Sequence, residues 1–511
     1  MKILYLTQSN TLELFNNLSN SLHDKGFETS SAYIISDSKF YDNFLLKNKS
    51  FDKNKFLIKE WELTKNIDVE YDINKIIEYE KKLAVNNFWD SVLSDRRLIF
   101  GEKFTFRQDY FANLNYDEIH VILLRWLISV EKLFNKFKPD LVVSFISTYL
   151  GEYISYLFSK KHNIPYYNLR PTRVENYIHF GQSPNEPSDV IKKMYIKILK
   201  NFNTKDHINI KAKKFIENSI KKDIKYEGVF LNTQKPPQSN NKLPNFLKFI
   251  NNLKDIIKEE YSYRFNKNKC DRHLPGYIKP VFYRKILNPI LIKKINNFLI
   301  RKFINPNNLK NLKYAFFPLH IEPEVTLLVY SRYYMNQIEV VRNIAYSLPT
   351  GYKLIVKEHP AAVGKRPLTF YKKLLNISNV ELVATNLETR ILIENSSIVT
   401  TIAGSVGFES IIFKKPVLIF GNTPYEFLPD KMVKKNTNLN NLTSDIIFLL
   451  NNYEFNEKKL IAFISSIYKT SVDVNFYSVL LKRADQFMYT KDSDYSKNLD
   501  KLSNHLIKIS K

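Results

Sequence analysis

The sequence predicts an α/β chain built on parallel sheets, and two observations predict it. Short apolar runs alternate with helical stretches along residues 313–430, and the two turns best suited to handling phosphate each follow one of those runs. The runs are Leu354 to Val356, Val380 to Ala384, Ile398 to Ile402 and Val417 to Phe420; the helical stretches include Gln337 to Ser347 and Thr389 to Asn395. Continuous apolar runs separated by helices read as strands covered on both faces. This is the βαβ rhythm of a parallel sheet, whose ligands bind beyond the carboxyl ends of the strands.

One turn is Gly404-Ser405-Val406-Gly407-Phe408-Glu409, entered from Thr400-Thr401-Ile402-Ala403. An apolar-patterned segment resumes at Phe408, so the turn opens a helix whose first backbone N–H groups face outward and attract anions. Glycine at 404 and 407 admits a phosphate close to the backbone, Ser405 caps the helix or bonds an oxygen, and Glu409 reaches back to a sugar hydroxyl. An ordinary strand-to-helix connection with a serine cap explains the turn equally well when it is taken alone.

The other turn is Lys357-Glu358-His359-Pro360, at the end of the strand from Lys353 to Val356. Pro360 drives His359 away from helical conformation, which sets the imidazole at the carboxyl edge of the sheet. There it donates to a phosphate or leaving-group oxygen with Lys357 beside it; the bland alternative is a satisfied loop histidine.

These residues resemble a known family. Tyr314 to His320, Glu322-Pro323-Glu324, Tyr352 to Pro360, Thr401 to Glu409 and Lys415 to Gly421 are similar to segments of the capsule polysaccharide biosynthesis proteins, among them the Kdo transferases of the capsule linker. The likeness runs over about a quarter of the chain and is fainter around Lys138 to Arg173. It implies a GT-B glycosyltransferase, two Rossmann-like domains facing across a cleft. The C-terminal domain would hold a nucleotide sugar through His320, Glu322, Lys357, His359, Pro360, Gly404, Ser405, Gly407 and Glu409. It further implies a CMP-linked donor, with no cofactor and no divalent metal, because a CMP sugar has a single phosphate.

The N-terminal half fits the first such domain. Met1 to Thr7 reads as a strand, Leu12 to His23 as an amphipathic helix and Ser31 to Ile35 as a second strand. Asp140 to Ile146, Glu152 to Lys161 and Asn163 to Leu169 form one strand–helix–strand crossover. Arg170 and Arg173 follow at a strand end. Guanidinium forks grip carboxylates, such as the one beside the reacting carbon of Kdo, although a pair of surface arginines is an equal reading. Glu152 is the general-base candidate of this half, against the plainer reading of an acid at a helix N-terminus.

Four segments result: 1–185, an acceptor-side Rossmann-like domain; 186–311, a Lys/Asn-rich helical insertion; 312–440, the nucleotide-sugar domain; and 441–511, C-terminal helices. At 511 residues and 44% hydrophobic content the chain buries at least two cores. Its single cysteine, Cys270, excludes an internal disulfide and fits a reducing cytoplasm. No apolar run reaches membrane-spanning length, which leads to the expectation of a cytoplasmic protein, peripheral on the membrane.

The net charge of +26 comes with abundant lysine, asparagine and isoleucine, a bias that nucleotide composition alone produces. No nucleic-acid-binding motif accompanies it, so an anionic membrane surface or a phosphate-bearing acceptor is the expected partner, and nucleic acid is not. Ile286 to Ile304 supports this. Ile290, Leu291, Ile295, Phe298, Leu299 and Phe303 alternate with Lys293, Lys294, Arg301 and Lys302, as in a helix lying on headgroups; packing on a domain core is the competing reading. Asp492-Ser493-Asp494 lacks a leading strand and reads as a solvated loop, and the nine histidines show no zinc spacing. A UDP-sugar 2-epimerase and a noncatalytic capsule assembly or export protein are the alternatives. The first would release UDP or an epimer without an acceptor, and the second would carry a degraded site.

Overall fold

A computed structural model describes residues 1–53, 56–65, 67, 70–99, 114–221, 250, 253–254, 257, 288–363, 366–484 and 494–510. Cys270, the break at 233–244, and Asp492 with Ser493 lie outside the described residues. Two separate sheets form, as the apolar runs predict.

The N-terminal sheet contains β1 (Lys2–Thr7), β2 (Ser30–Ile35), β3 (Leu57–Lys59), β4 (Leu141–Ser144), β5 (Tyr166–Pro171) and β6 (Tyr177–Gly181). Its order is β13-β6-β5-β4-β1-β2-β3, where β13 is Val472–Asp473 near the end of the chain. Five strands are parallel, in the order of a dinucleotide-binding fold. β6 and β13 extend the sheet antiparallel.

The C-terminal sheet is wholly parallel: β7 (Lys313–Pro318), β8 (Tyr352–Lys357), β9 (Val380–Val383), β10 (Ile398–Thr401), β11 (Val417–Ile419) and β12 (Val433–Lys435), ordered β12-β11-β10-β7-β8-β9. This is again the doubly wound order, with its reversal between β7 and β10. Ala315, Phe317, Leu354, Val356, Ile402 and Leu418 share one core layer; Tyr314, Phe316, Ile355 and Val399 pack on the opposite face. Burial on both faces is why these strands read as unbroken apolar runs.

The chain crosses between the domains twice. Helix Glu457–Thr470 packs Leu460, Phe463 and Ile464 against helices Asp189–Lys200 and His207–Lys221. The chain then supplies β13, and helix Tyr495–Ser510 buries Leu502 and Leu506 with Leu14 and Leu18 of the first helix. The segment 441–511 is therefore divided: its beginning belongs to the C-terminal side and its end to the N-terminal sheet.

The helix expected on headgroups turns inward instead. Helix Asn288–Ile300 buries Ile295 and Leu299 in the C-terminal core, with Phe298 and Phe303 packed beside them. Each such burial is worth about 1.5–3 kcal/mol, whereas a basic residue at an anionic surface gains about 1 kcal/mol, so docking on the core wins. The outward side keeps Lys293, Lys294, Arg301 and Lys302 exposed, together with Ile290 and Ile300. Among the described residues, no helix is long and apolar enough to cross a membrane.

Candidate active site in the C-terminal crevice

Where a doubly wound sheet reverses its order, the loops after two neighbouring strands run to opposite faces and leave a crevice between them. Here those strands are β7 and β10, so the crevice lies between the chain after Pro318 and the chain after Thr401. His320 closes one side and Gly404 the other.

His320 is held by its backbone. Its N–H donates to Gln337 Oε1 at 2.7 Å, and its carbonyl accepts from Gln337 Nε2 at 3.0 Å and from Arg366. The ring reaches across the crevice, where Nε2 faces the Ala403 N–H and the Thr401 hydroxyl, each at 3.5 Å. The Ala403 N–H gives Nε2 the acceptor role and leaves the proton on Nδ1, which is buried. Burial, then the charges of Arg366, His359 and Arg173, push its pKa down to about 3. His320 is thus neutral, with its ring fixed across the crevice mouth.

Gly404 makes this approach possible, since a Cβ there would lie 3.0 Å from both His320 Nε2 and Thr401 Oγ1. It is also the N-cap of helix Ser405–Ile412 and offers no side chain to the first N–H groups, which stay suited to an anion. Gly407 serves a different end from the expected one. A Cβ at 407 would collide with the Tyr425 hydroxyl, which donates to the Gly404 carbonyl at 2.7 Å. Gly407 therefore makes room for the tyrosine that fixes the turn, rather than for a phosphate. Ser405 begins the helix half-buried, and Glu409 lies one turn on.

The β8 end supplies the remaining cation. Lys357 is 7% exposed and donates to Thr389 Oγ1 at 2.8 Å. Desolvation lowers its pKa to about 8, opposed by the charges of Glu409 and Glu388. Lys357 and Glu409, read from two separate motifs, thus meet in one field. Glu358 turns away and is buried in an ion pair with Arg366, accepting also from the Tyr371 hydroxyl at 2.8 Å and from the His359 N–H at 2.7 Å. This fixes His359 at the crevice edge, where Pro360 opens a short 3-10 turn.

Glu322 differs from its expected role. It is buried, bonded to Gln337 and 3.6 Å from Arg366, so it supports the His320 loop from behind. Arg366, Gln337 and Tyr425 were not legible as site residues, because each acts through a partner distant in sequence.

Of the N-terminal candidates, Glu152 has no exposed surface; it accepts from the Thr148 N–H at 2.9 Å and the Ser144 hydroxyl at 3.3 Å. Burial raises its pKa well above the usual range. Enclosed in this way, it braces its own helix start and has no path to an acceptor hydroxyl. Arg170 directs its guanidinium to Asn168 Oδ1 (2.9 Å), the Glu186 carbonyl (3.0 Å) and the Ser183 carbonyl, and stacks on Tyr330, so it joins the domains rather than gripping a free carboxylate. Arg173 differs from it: its charge acts on His320 and on Tyr425.

Compared with known proteins, residues 226–429 match the family model described as capsule polysaccharide biosynthesis protein. No curated protein matches the sequence. Among solved structures, a β-Kdo 2,4 transferase of Thermosulfurimonas dismutans KpsC is similar at 10% identity and TM-score 0.36, over 72% of this chain and 87% of that one. Its β-Kdo 2,7 transferase is similar at 12% and 0.34, over 75% and 90%. The UDP-GlcNAc 2-epimerase of Neisseria meningitidis, bound to UDP-GlcNAc, follows at 12% and 0.24, over 92% and 98%. Likenesses this distant carry no functional conclusion. The family match spans the crevice-bearing stretch, which includes β7 to β11 and both turns, and that stretch is what is similar to the capsule polysaccharide biosynthesis proteins.

Proposed function

We propose that the protein is a glycosyltransferase of capsule or related surface polysaccharide synthesis. Its donor would be a CMP-linked acidic sugar, Kdo or a relative, and its acceptor a lipid-linked or other glycan. The observation that carries this reading is the convergence of His320, Lys357, His359 and the uncapped start of helix Ser405–Ile412 at one sheet reversal.

Glycosyl transfer breaks the bond between the anomeric carbon and the phosphate oxygen, so negative charge grows on the departing nucleotide. The helix N-terminus and the Lys357 ammonium, at the ends of β10 and β8, would stabilise that charge as it forms, with the neutral His320 ring between them at the end of β7. His359, held by Glu358, adds a donor at the rim. A monophosphate leaving group is served by these groups without a bridging cation. Carbohydrate hydroxyls find a partner in Glu409.

Calorimetry with CMP, UDP and GDP, without added metal, tests the donor. CMP should bind most tightly, and His359→Ala should lower turnover by about 10²–10³-fold. Preferential UDP binding, with release of UDP or an epimer and no acceptor, would replace this reading by the epimerase one. An anionic leaflet presenting the acceptor would be met by the exposed basic side of helix Asn288–Ile300. Reversing Lys293, Lys294, Arg301 and Lys302 to glutamate should then abolish salt-sensitive binding to anionic vesicles, and unchanged binding rejects membrane attachment there.

A further inference from the structure

The loop joining β5 to β6 has features that its role as a connection does not explain. It belongs to the N-terminal sheet, yet Val174 is fully buried in the core cluster that also holds Phe408, Ile411, Tyr425 and Leu428 of the C-terminal domain. The loop is therefore a wedge, seated beside the helix that Gly404 opens. Within it Arg173 (φ 67°) and Glu175 (φ 48°) both adopt left-handed backbone conformations that side chains other than glycine and asparagine avoid. Thr172 pins the turn through hydrogen bonds to Tyr177, whose carbonyl accepts from the Thr172 N–H at 3.0 Å and from its hydroxyl at 2.8 Å. Glu175 is anchored outward, 3.4 Å from Lys211. Arg173 is directed the other way. Its Nη1 is enclosed and has no hydrogen-bond partner among the described residues.

A buried guanidinium nitrogen without a partner costs stability, and so does the backbone that holds it there. Both are tolerated where a ligand completes the site. The neighbours indicate which ligand. The Arg173 charge reaches His320 and Tyr425, and these two side chains contact the Gly404 turn from either side. A buried donor atom, Arg173 Nη1, thus lacks an acceptor among the described residues, on a loop that shares a core with a helix whose N-terminus has no side-chain cap.

We propose that Arg173, carried on a wedge of the N-terminal domain, completes an anion site in the C-terminal crevice, so that ligand binding there requires both domains to be in place. This rests on the donor reading above only in naming the anion. The chemistry itself is an oxyanion, either the nucleotide phosphate or a carboxylate on the transferred sugar. Arg170, three residues earlier, cannot substitute, because its donors already bind Asn168, Ser183 and Glu186.

The test measures binding of cytidine, CMP and a CMP-linked acidic sugar to the full chain and to Arg173→Gln, with Arg173→Lys as the charge-retaining variant. If Arg173 holds the phosphate, Arg173→Gln should weaken CMP at least about tenfold, leave cytidine unchanged, and be partly rescued in Arg173→Lys. If it holds the carboxylate, only the CMP sugar should weaken, and lysine should rescue poorly. Equal affinities for all three ligands in the wild type and a natively melting Arg173→Gln would overturn the proposal. Should no cytidine ligand bind the wild type, the donor reading fails by itself. Thermal stabilisation by inorganic phosphate then decides the anion site, which is supported if Arg173→Gln loses the stabilisation and rejected if it does not.

Discussion

Lys357 and His320 show how burial sets chemistry at single residues. Both lose affinity for protons because water is withdrawn from them, yet the outcomes differ: His320, at about 3, is neutral throughout the physiological range, whereas Lys357, at about 8, is close to its own titration. An anion bound beside Lys357 favours the charged amine and raises that pKa. Binding should therefore take up a proton when the pH is above about 8, and affinity should fall as the pH rises through that value. Calorimetry of CMP at pH 8.5 in buffers of different ionisation enthalpy should show uptake, with little at pH 6.5. Lys357→Met should abolish the dependence. Uptake that is identical in Lys357→Met would assign the proton to another group.

At the scale of elements, the loops after β7 and β8 are held by one buried network. Arg366 pairs with Glu358, lies 3.6 Å from Glu322 and bonds the His320 carbonyl, while the Tyr371 hydroxyl also donates to Glu358 and the Gln337 amide to Glu322. Removing one member leaves a buried charge uncompensated. Arg366→Ala should destabilise the protein by about 3–5 kcal/mol, read as a drop in the denaturation midpoint, and it should also free both histidine loops. Replacing Arg366 and Glu358 together, with Met and Leu, should restore most of the stability without restoring ligand binding. A single variant that melts like the wild type would show that the network does not support the site.

Across the whole molecule, the chain's return to the N-terminal sheet creates a pH dependence that no local segment has. His179 of β6 and His505 of the last helix are brought together by this docking; burial, then the Arg170 and His505 charges, lowers His179 to about 3, and burial, then Lys508, lowers His505 to about 4. Unfolded histidines titrate near 6.5. Folded-state values below that mean the unfolded chain binds the protons more tightly, so stability is complete above about 6.5 and falls as the pH drops towards 4. Each histidine adds a slope of up to about 1.4 kcal/mol per pH unit. Denaturant melts between pH 7 and 4.5 should show this, and the double variant His179→Gln, His505→Gln should flatten it. An unchanged slope would locate the acid sensitivity elsewhere.

What the sequence determined by itself were the features that depend on neighbours along the chain. Apolar runs bounded by helices disclosed the strands of the C-terminal sheet because burial on both faces demands them, and Pro360 and Gly404 marked the turns because backbone sterics are local. Those strand-end residues carried the family likeness and contain most of the crevice. The tertiary structure decided which groups face one another. Glu152, Glu322 and Gly407 looked like ligand-handling residues and are instead used in packing, while Arg366, Gln337 and Tyr425 gave no signal because their partners lie 8 to 46 residues away in sequence. The same holds for Arg170 and Arg173, three residues apart and equivalent to a reader of the sequence. Arg170 stacks on Tyr330 of the other domain, whereas Arg173, at φ 67°, has its charge acting on His320 and Tyr425, and that difference belongs to the packed molecule.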